Sequence, residues 1–244
     1  PGAEENQRAQ TLGGPFYSVD VECVASGYGS DDRIVGRISL LRSESSAASG
    51  GEAGAAEERA APREEVVFDE FVKPDQAVVS CLTDLTGIVY DRDLAGAEGF
   101  DAVLAKFRAV LPRDAVLVGQ GIASDIKWLG LREGVDYRES FDIAYLFRTP
   151  GRGGKPITFS LRHACLRLLG LDMQEGSHDP VDDARYSLRL FHKYRMLHKN
   201  PQHVAAVRSA LLNGPRTPSF AQTHPYVDGV AMSAGLPPSD IAVA

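Results

Sequence analysis

The chain has 244 residues, 43% of them apolar, enough to bury one core of ordinary size, so a single domain is expected. No apolar run approaches the roughly 20 residues that a membrane-spanning helix needs, so no membrane partner is expected. The formal charge of −7 argues against a protein that coats nucleic acid, yet it hides a split. From Arg148 to Arg216 there are 12 Lys/Arg against 5 Asp/Glu, a local +7 beside −14 elsewhere. Such a basic stretch suits a groove that holds a few phosphates, and equally a solvated helix surface. Cys23, Cys81 and Cys165 are odd in number and lack zinc-like spacing, so they read as reduced, buried thiols of a cell interior, cytoplasm or nucleus. Because the chain opens Pro-Gly-Ala-Glu without a Met, an upstream targeting segment, and with it an organelle, stays open.

Residues 1–14 read as a flexible N-terminus. "PFYSVDVECVA" (15–25) follows a Gly-Gly-Pro break and reads as a strand. "RIVGRISLLR" (33–42) is a second strand, paired with the first across the "SGYGSDD" turn, and "EEVVFDEFVK" (64–73) a third. Residues 43–65, rich in Ala, Gly, Ser and Glu, bury too little apolar surface to order themselves and read as a disordered insertion at a hairpin tip. A short helix and loop are expected over 77–88 and a helix over about 95–111. A buried strand at 115–120 leads directly into a helix, "GIASDIKWLGL", and 140–147 is a short strand running into a helix. "TFSLRHACLRLLG" has a Ser/Thr start and a Gly stop, which is helix punctuation. A long helix spans 181–198. Residues 201–244 read as one short helix and a loose tail. Three consecutive strands followed by helix–strand–helix–strand predict an α/β fold of ribonuclease-H-like type: three antiparallel strands extended by two parallel ones, flanked by helices.

Five residues carry the candidate chemistry. Asp20 and Glu22 are two apart in the first strand and therefore face the same way. The neighbouring Phe16, Tyr17, Val19 and Val21 make that strand central, where carboxylates are costly unless they hold a cation. Asp91 and Asp93 form a similar pair without such a setting and receive no role. Asp125 lies in the first turn of the helix behind the strand at 115–120, a position that capping or dipole chemistry alone also explains. Asp183 begins the long helix, and His178 stands on the loop before it, "EGSHDPVDDA", placed to take a proton from water. Converging carboxylates with a histidine base suit phosphodiester hydrolysis assisted by two Mg²⁺ or Mn²⁺ ions.

Together, "FYSVDVECV", "PDQAVVSCLTDLTGI", "LVGQGIASDIKWL" and "HDPVDDARYSLRLF" resemble the DEDDh branch of the DnaQ-like 3′–5′ exonucleases, the superfamily of ribonuclease T and the Rex-type RNA exonucleases. The resemblance runs from about Phe16 to Leu197 and makes 15–200 the exonuclease domain. It implies that Asp20, Glu22, Asp125 and Asp183 hold two divalent cations and that His178 is the general base. The substrate it implies is the 3′ end of single-stranded RNA, cut to nucleoside 5′-monophosphates. Asp182 replaces the Glu usual before the last Asp and is kept out of the ligand set. Gln120 stands where many relatives carry His or Asn, and Asp142 matches a frequently acidic position. The resemblance further implies that Cys23 and Val24, through their backbone, and Leu82, Thr86 and Gly87 meet the terminal nucleotide. Leu82 is equally well a core residue and Gly87 a turn glycine. Arg185 heads a stripe with Arg189 and Lys193 that either follows the phosphate backbone or is an ordinary solvated face. A DNA exonuclease on the same scaffold and a catalytically silent nucleic-acid-binding module are the alternatives. A structural ion-pair network would need basic partners, and the first strand offers none. Protein partners are not legible.

Overall fold

A computed structural model gives the fold; it describes residues 2–43, 63–151, 153, 155–173, 176–198, 200–215 and 217–237. Helix α1 (Gly2–Thr11) leads into three long strands, β1 (Phe16–Ala25), β2 (Arg33–Ser43) and β3 (Glu64–Lys73). A single helical turn α2 (Thr83–Thr86), a π-helical turn (Tyr90–Leu94), strand β4 (Glu98–Gly99) and helix α3 (Phe100–Val110) follow. Next come β5 (Val116–Gly119), α4 (Ala123–Trp128) and β6 (Glu139–Asp142), which runs into a 3-10 turn (Ile143–Tyr145). A ribbon of β7 (Thr149–Pro150) and β8 (Pro156–Ile157) precedes α5 (Leu161–Leu168) and the long α6 (Pro180–Leu197). Beyond it lie α7 (Pro201–Asn213), α8 (Phe220–Thr223), β9 (Tyr226–Val227) and β10 (Val230–Ala231). Among the described residues no helix is long and apolar enough to cross a membrane.

The main sheet has the order β4-β3-β2-β1-β5-β6. β1, β2 and β3 form an antiparallel meander, and β5 and β6 extend it in parallel. This is the expected mixed sheet, with the two-residue β4 added parallel to β3 at the far edge. Side chains alternate across a strand, so Phe16, Ser18, Asp20 and Glu22 share one side of β1 and Tyr17, Val19 and Val21 the other. On the second side Tyr17, Val19, Ile38, Leu40 and Phe68 are closed over by Val103 and Phe107 of α3. On the first side Phe16, Leu41, Val116 and Phe141 pack against Leu188, Phe191 and Tyr194 of α6 and Cys165 of α5. The Phe191 ring lies 5.0 Å from that of Phe16 and 5.6 Å from that of Phe141. α6 is thereby fixed along the same face of β1 that carries Asp20 and Glu22.

Helix ends follow local chemistry. The Asp179 carboxylate accepts the Val181 N–H at 2.9 Å, and Pro180 takes the first helical position, where no N–H is needed. Ser160 caps α5 by accepting the His163 N–H. At Gly36 the β1–β2 register slips by one residue after Glu22. A Cβ there would sit 3.1 Å from both Ile88 and Val24, so the slip needs the missing side chain.

The structure corrects two expectations at the chain's ends. The N-terminal segment is helical rather than loose: Ala9 and Leu12 are buried in the α6-side core, and Arg8 meets Glu139 of β6 at 2.7 Å. Two apolar residues are too few to produce a readable period. The C-terminal segment is also structured through residue 237. Leu211 of α7 joins the main core, and the β9–β10 hairpin buries Val227 and Val230 against Ala25 and Leu82. Of the expected insertion 43–65, Ser43 belongs to β2 and Glu64 and Glu65 to β3, while 44–62 lie outside the described residues. The three cysteines carry free thiols; Cys165 is buried and the other two half-buried.

Candidate active site

β1 pairs with β5 only at Phe16 and Tyr17, and this edge meets another bridge only at Ala25, opposite Ser80, so between them it has no strand partner. A backbone N–H stranded in that position needs an acceptor. Asp125 supplies it: α4 begins just behind β5, and the Asp125 carboxylate accepts the Val21 N–H at 3.1 Å, between Asp20 and Glu22. Two neighbours brace this turn. Asp142 accepts the N–H groups of Gly121 at 3.1 Å and Ala144 at 2.9 Å, and the Gln120 amide donates to the Phe159 carbonyl at 2.7 Å. Both residues therefore hold the turn that aims Asp125.

α6 brings the other half. His178 Nδ1 lies 3.3 Å from the Asp183 carboxylate, and Glu22, His178 and Asp183 each present a ligand atom within 4.8 Å of the other two. The histidine loop is seated on α2: the His178 N–H donates to the Leu85 carbonyl at 2.6 Å. Gly87 makes that approach possible. Its φ is +70°, and a Cβ would lie 2.7 Å from Ser177 Oγ.

The electrostatics are those of an anion cluster with too few cations. Burial, then the charges of Asp125, Asp183, Glu22 and Asp179, hold the Asp20 carboxyl well above the ordinary range. Burial pushes Glu22 up to about 8, opposed by His178 and Arg37. Asp125 rises to about 7, again chiefly through burial, although its backbone hydrogen bonds pull the other way. Burial works to lower His178, but its hydrogen bond to Asp183 and the charge of that group keep it above the usual imidazole value. Carboxyls buried this way are stabilised in the ionised form by a divalent cation, and their oxygen donors are the kind that hard cations prefer.

Sequence reasoning missed Arg37. It stands opposite Glu22 on β2, donates twice to Asp69 at 2.8 Å, and approaches Asp179 to 3.5 Å. A basic partner thus does reach the cluster, from the neighbouring strand, and one guanidinium shared among these acids does not balance them. The cross-strand register that places it there cannot be read from β1 alone.

The remaining candidates fall on both sides of the surface. Cys23 is half-buried, and Val24 is fully buried against Ile88 and Leu94. Leu82 takes φ +51°, uncommon for a leucine, and its side chain is buried under the C-terminal hairpin. Thr86 Oγ1 donates to the Cys81 carbonyl at 2.8 Å and accepts the Ile88 N–H at 3.1 Å, bracing α2 from within. Leu82 and Thr86 therefore face the core, and only their backbone is placed to meet a ligand. Arg185 is paired with Asp182, and Arg189 with Glu64 at 3.1 Å, so two of the three cations of the α6 stripe already have carboxylate partners.

No family model matches the chain. RNA exonuclease 4 of Neurospora crassa is 29% identical over 188 residues, 76% of this chain and 40% of that protein. RNA exonuclease 1 of Saccharomyces cerevisiae is 30% identical over 127 residues, 52% of this chain and 22% of that protein. In sequence the chain is thus similar to RNA exonucleases over part of its length. It spans less than half the length of either of these curated relatives. Among solved structures, the Pan2 pseudoubiquitin hydrolase–RNA exonuclease module of Saccharomyces cerevisiae in complex with A7 RNA superposes with a TM-score of 0.61 at 23% identity. That match covers 86% of this chain and 32% of the other and establishes the shared fold. Glu22, His178 and Asp183 together form a group that could hold a metal ion.

Proposed function

We propose that this domain is a 3′–5′ exoribonuclease that removes nucleoside 5′-monophosphates one at a time from single-stranded RNA. The observation that carries the reading is the meeting of Glu22 and Asp183 with His178 at one point on the sheet face that also bears Asp20, with Asp125 hydrogen-bonded between the two β1 carboxylates. The preference for RNA over DNA follows the relatives, which are named RNA exonucleases.

Asp20, Glu22, Asp125 and Asp183 would hold two Mg²⁺ or Mn²⁺ ions. Bound there, the ions neutralise the carboxylates and the charge that develops on the phosphate during hydrolysis. His178 takes the proton of the attacking water. Its Nδ1–H points at Asp183, which fixes the tautomer with Nε2 as the basic nitrogen. The Leu85 carbonyl and Gly87 keep the histidine loop in place, and Asp142 and Gln120 do the same for the Asp125 turn. Cys23, Val24, Leu82, Thr86 and Gly87 would meet the terminal nucleotide chiefly through backbone. Arg185 would lie along the strand only after leaving Asp182.

The test is a time course on matched 5′-labelled single-stranded RNA and DNA with Mg²⁺, Mn²⁺ or EDTA. A metal-dependent ladder that shortens from the 3′ end, faster on RNA, is expected. A faster DNA ladder would make the domain a DNA exonuclease. Binding to both oligonucleotides without cleavage would leave only a binding module.

A further inference from the structure

The C-terminal segment closes one side of the active site. α8 stands at its mouth: the Phe220 ring meets the His178 ring edge-on at 6.4 Å and stacks at 4.4 Å on the exposed His224 ring. The segment is anchored on both sides of this pair; before it, Thr217 Oγ1 lies 3.1 Å from the His163 Nδ1 of α5. Ser219 and Gln222 form a reciprocal cap on α8. Arg33 donates to the Ala231 carbonyl at 2.9 Å, and Ser80 Oγ to Asp228 at 2.5 Å. Between α8, α2 and the histidine loop opens a cleft of about 530 Å³, whose lining includes Thr83, Asp84, Arg162, Ser177, Phe220 and His224. Its size is ordinary for a small-molecule site, roughly 300–1,000 Å³.

The charges of the cleft decide what it takes. Arg162 is bound twice by Asp172, at 2.9 and 3.1 Å, and Asp84 adds an exposed carboxylate. A phosphate would meet an already neutralised guanidinium and a like charge. An uncharged flat ring would meet two aromatic side chains and the hydroxyls of Thr83 and Ser177. We propose that this cleft is a nucleobase-stacking subsite of the substrate strand, with Phe220 and His224 as its aromatic wall. Stacking tolerates every base, as an enzyme that advances along a strand requires. The proposal rests on the exonuclease reading for its ligand, and a binding experiment separates the two.

Fluorescence anisotropy in EDTA, where no hydrolysis occurs, compares the full chain with Phe220→Ala and His224→Ala on an RNA oligonucleotide. The same strand is tested with an abasic nucleotide placed first or second from the 3′ end. Phe220→Ala weakens binding of intact RNA about tenfold and His224→Ala somewhat less, within the range of base–aromatic stacking. Either loss shrinks to within about twofold on the strand that is abasic at the stacked position. Equal loss on intact and abasic strands for both variants would reduce the pair to a structural prop. Tighter binding or faster cleavage by Phe220→Ala would show that the segment obstructs the site. Both results overturn the proposal. His224 is exposed, so its variant keeps the test valid if Phe220→Ala fails to fold. A wild-type protein that shows this stacking signature but never cuts RNA would sink the exonuclease reading and leave the subsite standing.

Discussion

β1 and α6 lie against each other, and the two ends of their contact follow opposite rules. At one end Phe16 meets Phe191, which also meets Phe141, and the nearby His192 is driven down to about 4 by burial and so stays neutral at physiological pH. Its Nε2 is hydrogen-bonded to Ser43 Oγ at 2.7 Å. At the other end Asp20, Glu22 and Asp183 are buried or half-buried beside one another with Arg37 as the cation within reach. Removal from water stabilises the first end through apolar contact and destabilises the second by crowding like charges. The same strand and helix thus supply rigidity from one end and a cation-seeking site from the other.

Substitutions at the two ends should separate activity from stability. Asp20→Asn or Asp183→Asn should lower turnover by about a thousandfold or more, since each removes a charged oxygen donor from the proposed two-cation site. The melting temperature in EDTA should hold or rise, because a repelling charge leaves the cluster; normal turnover in either variant would end the ligand assignment. His178→Ala should slow the chemical step by roughly a hundredfold or more, the contribution expected of a general base. It should also flatten the acid limb of the pH–rate profile, which the base's own protonation sets. An unchanged limb would assign the proton to another group. At the apolar end, Phe191→Ala should cost about 3–5 kcal/mol of stability. A calorimetric melt should fall by roughly 10 °C, and turnover per folded molecule below the transition should stay within a few-fold.

Much of this was legible in the sequence because the signals are local. The i, i+2 carboxylates on an apolar strand, the strand-to-helix turn before Asp125 and the long helix that begins near Asp183 each read directly, and the antiparallel meander extended by parallel strands followed from the succession of elements. What escaped depends on distant partners. Arg37 reaches the acids only through cross-strand register. Leu82, half expected to face a nucleotide, is buried by a hairpin some 145 residues onward. That hairpin did carry a local mark: Asp228-Gly229 between Val227 and Val230, with φ of 49° and 80°, is the two-residue turn such strands favour. Two-residue strands have no period to read, so that turn alone does not announce a hairpin.

The claim that the carboxylate end awaits a cation is tested most directly by melting the protein from about pH 5 to about pH 8, with and without saturating Mn²⁺. Glu22 at about 8 and Asp125 at about 7 keep protons in the folded state that the unfolded chain releases near 4.5 and 3.8. Folding is therefore favoured below those unfolded values and loses ground as pH rises toward the folded ones. The raised His178 acts in the same direction: its contribution is full below its unfolded value of 6.5 and is lost as pH rises through the folded one. Each such group changes stability by up to about 1.4 kcal/mol per pH unit, so without metal the melting temperature should fall by several degrees. Mn²⁺ should restore most of that loss at the alkaline end and little at the acid end, and Glu22→Gln should flatten the metal-free curve. Superimposable wild-type curves with and without Mn²⁺ would contradict the account.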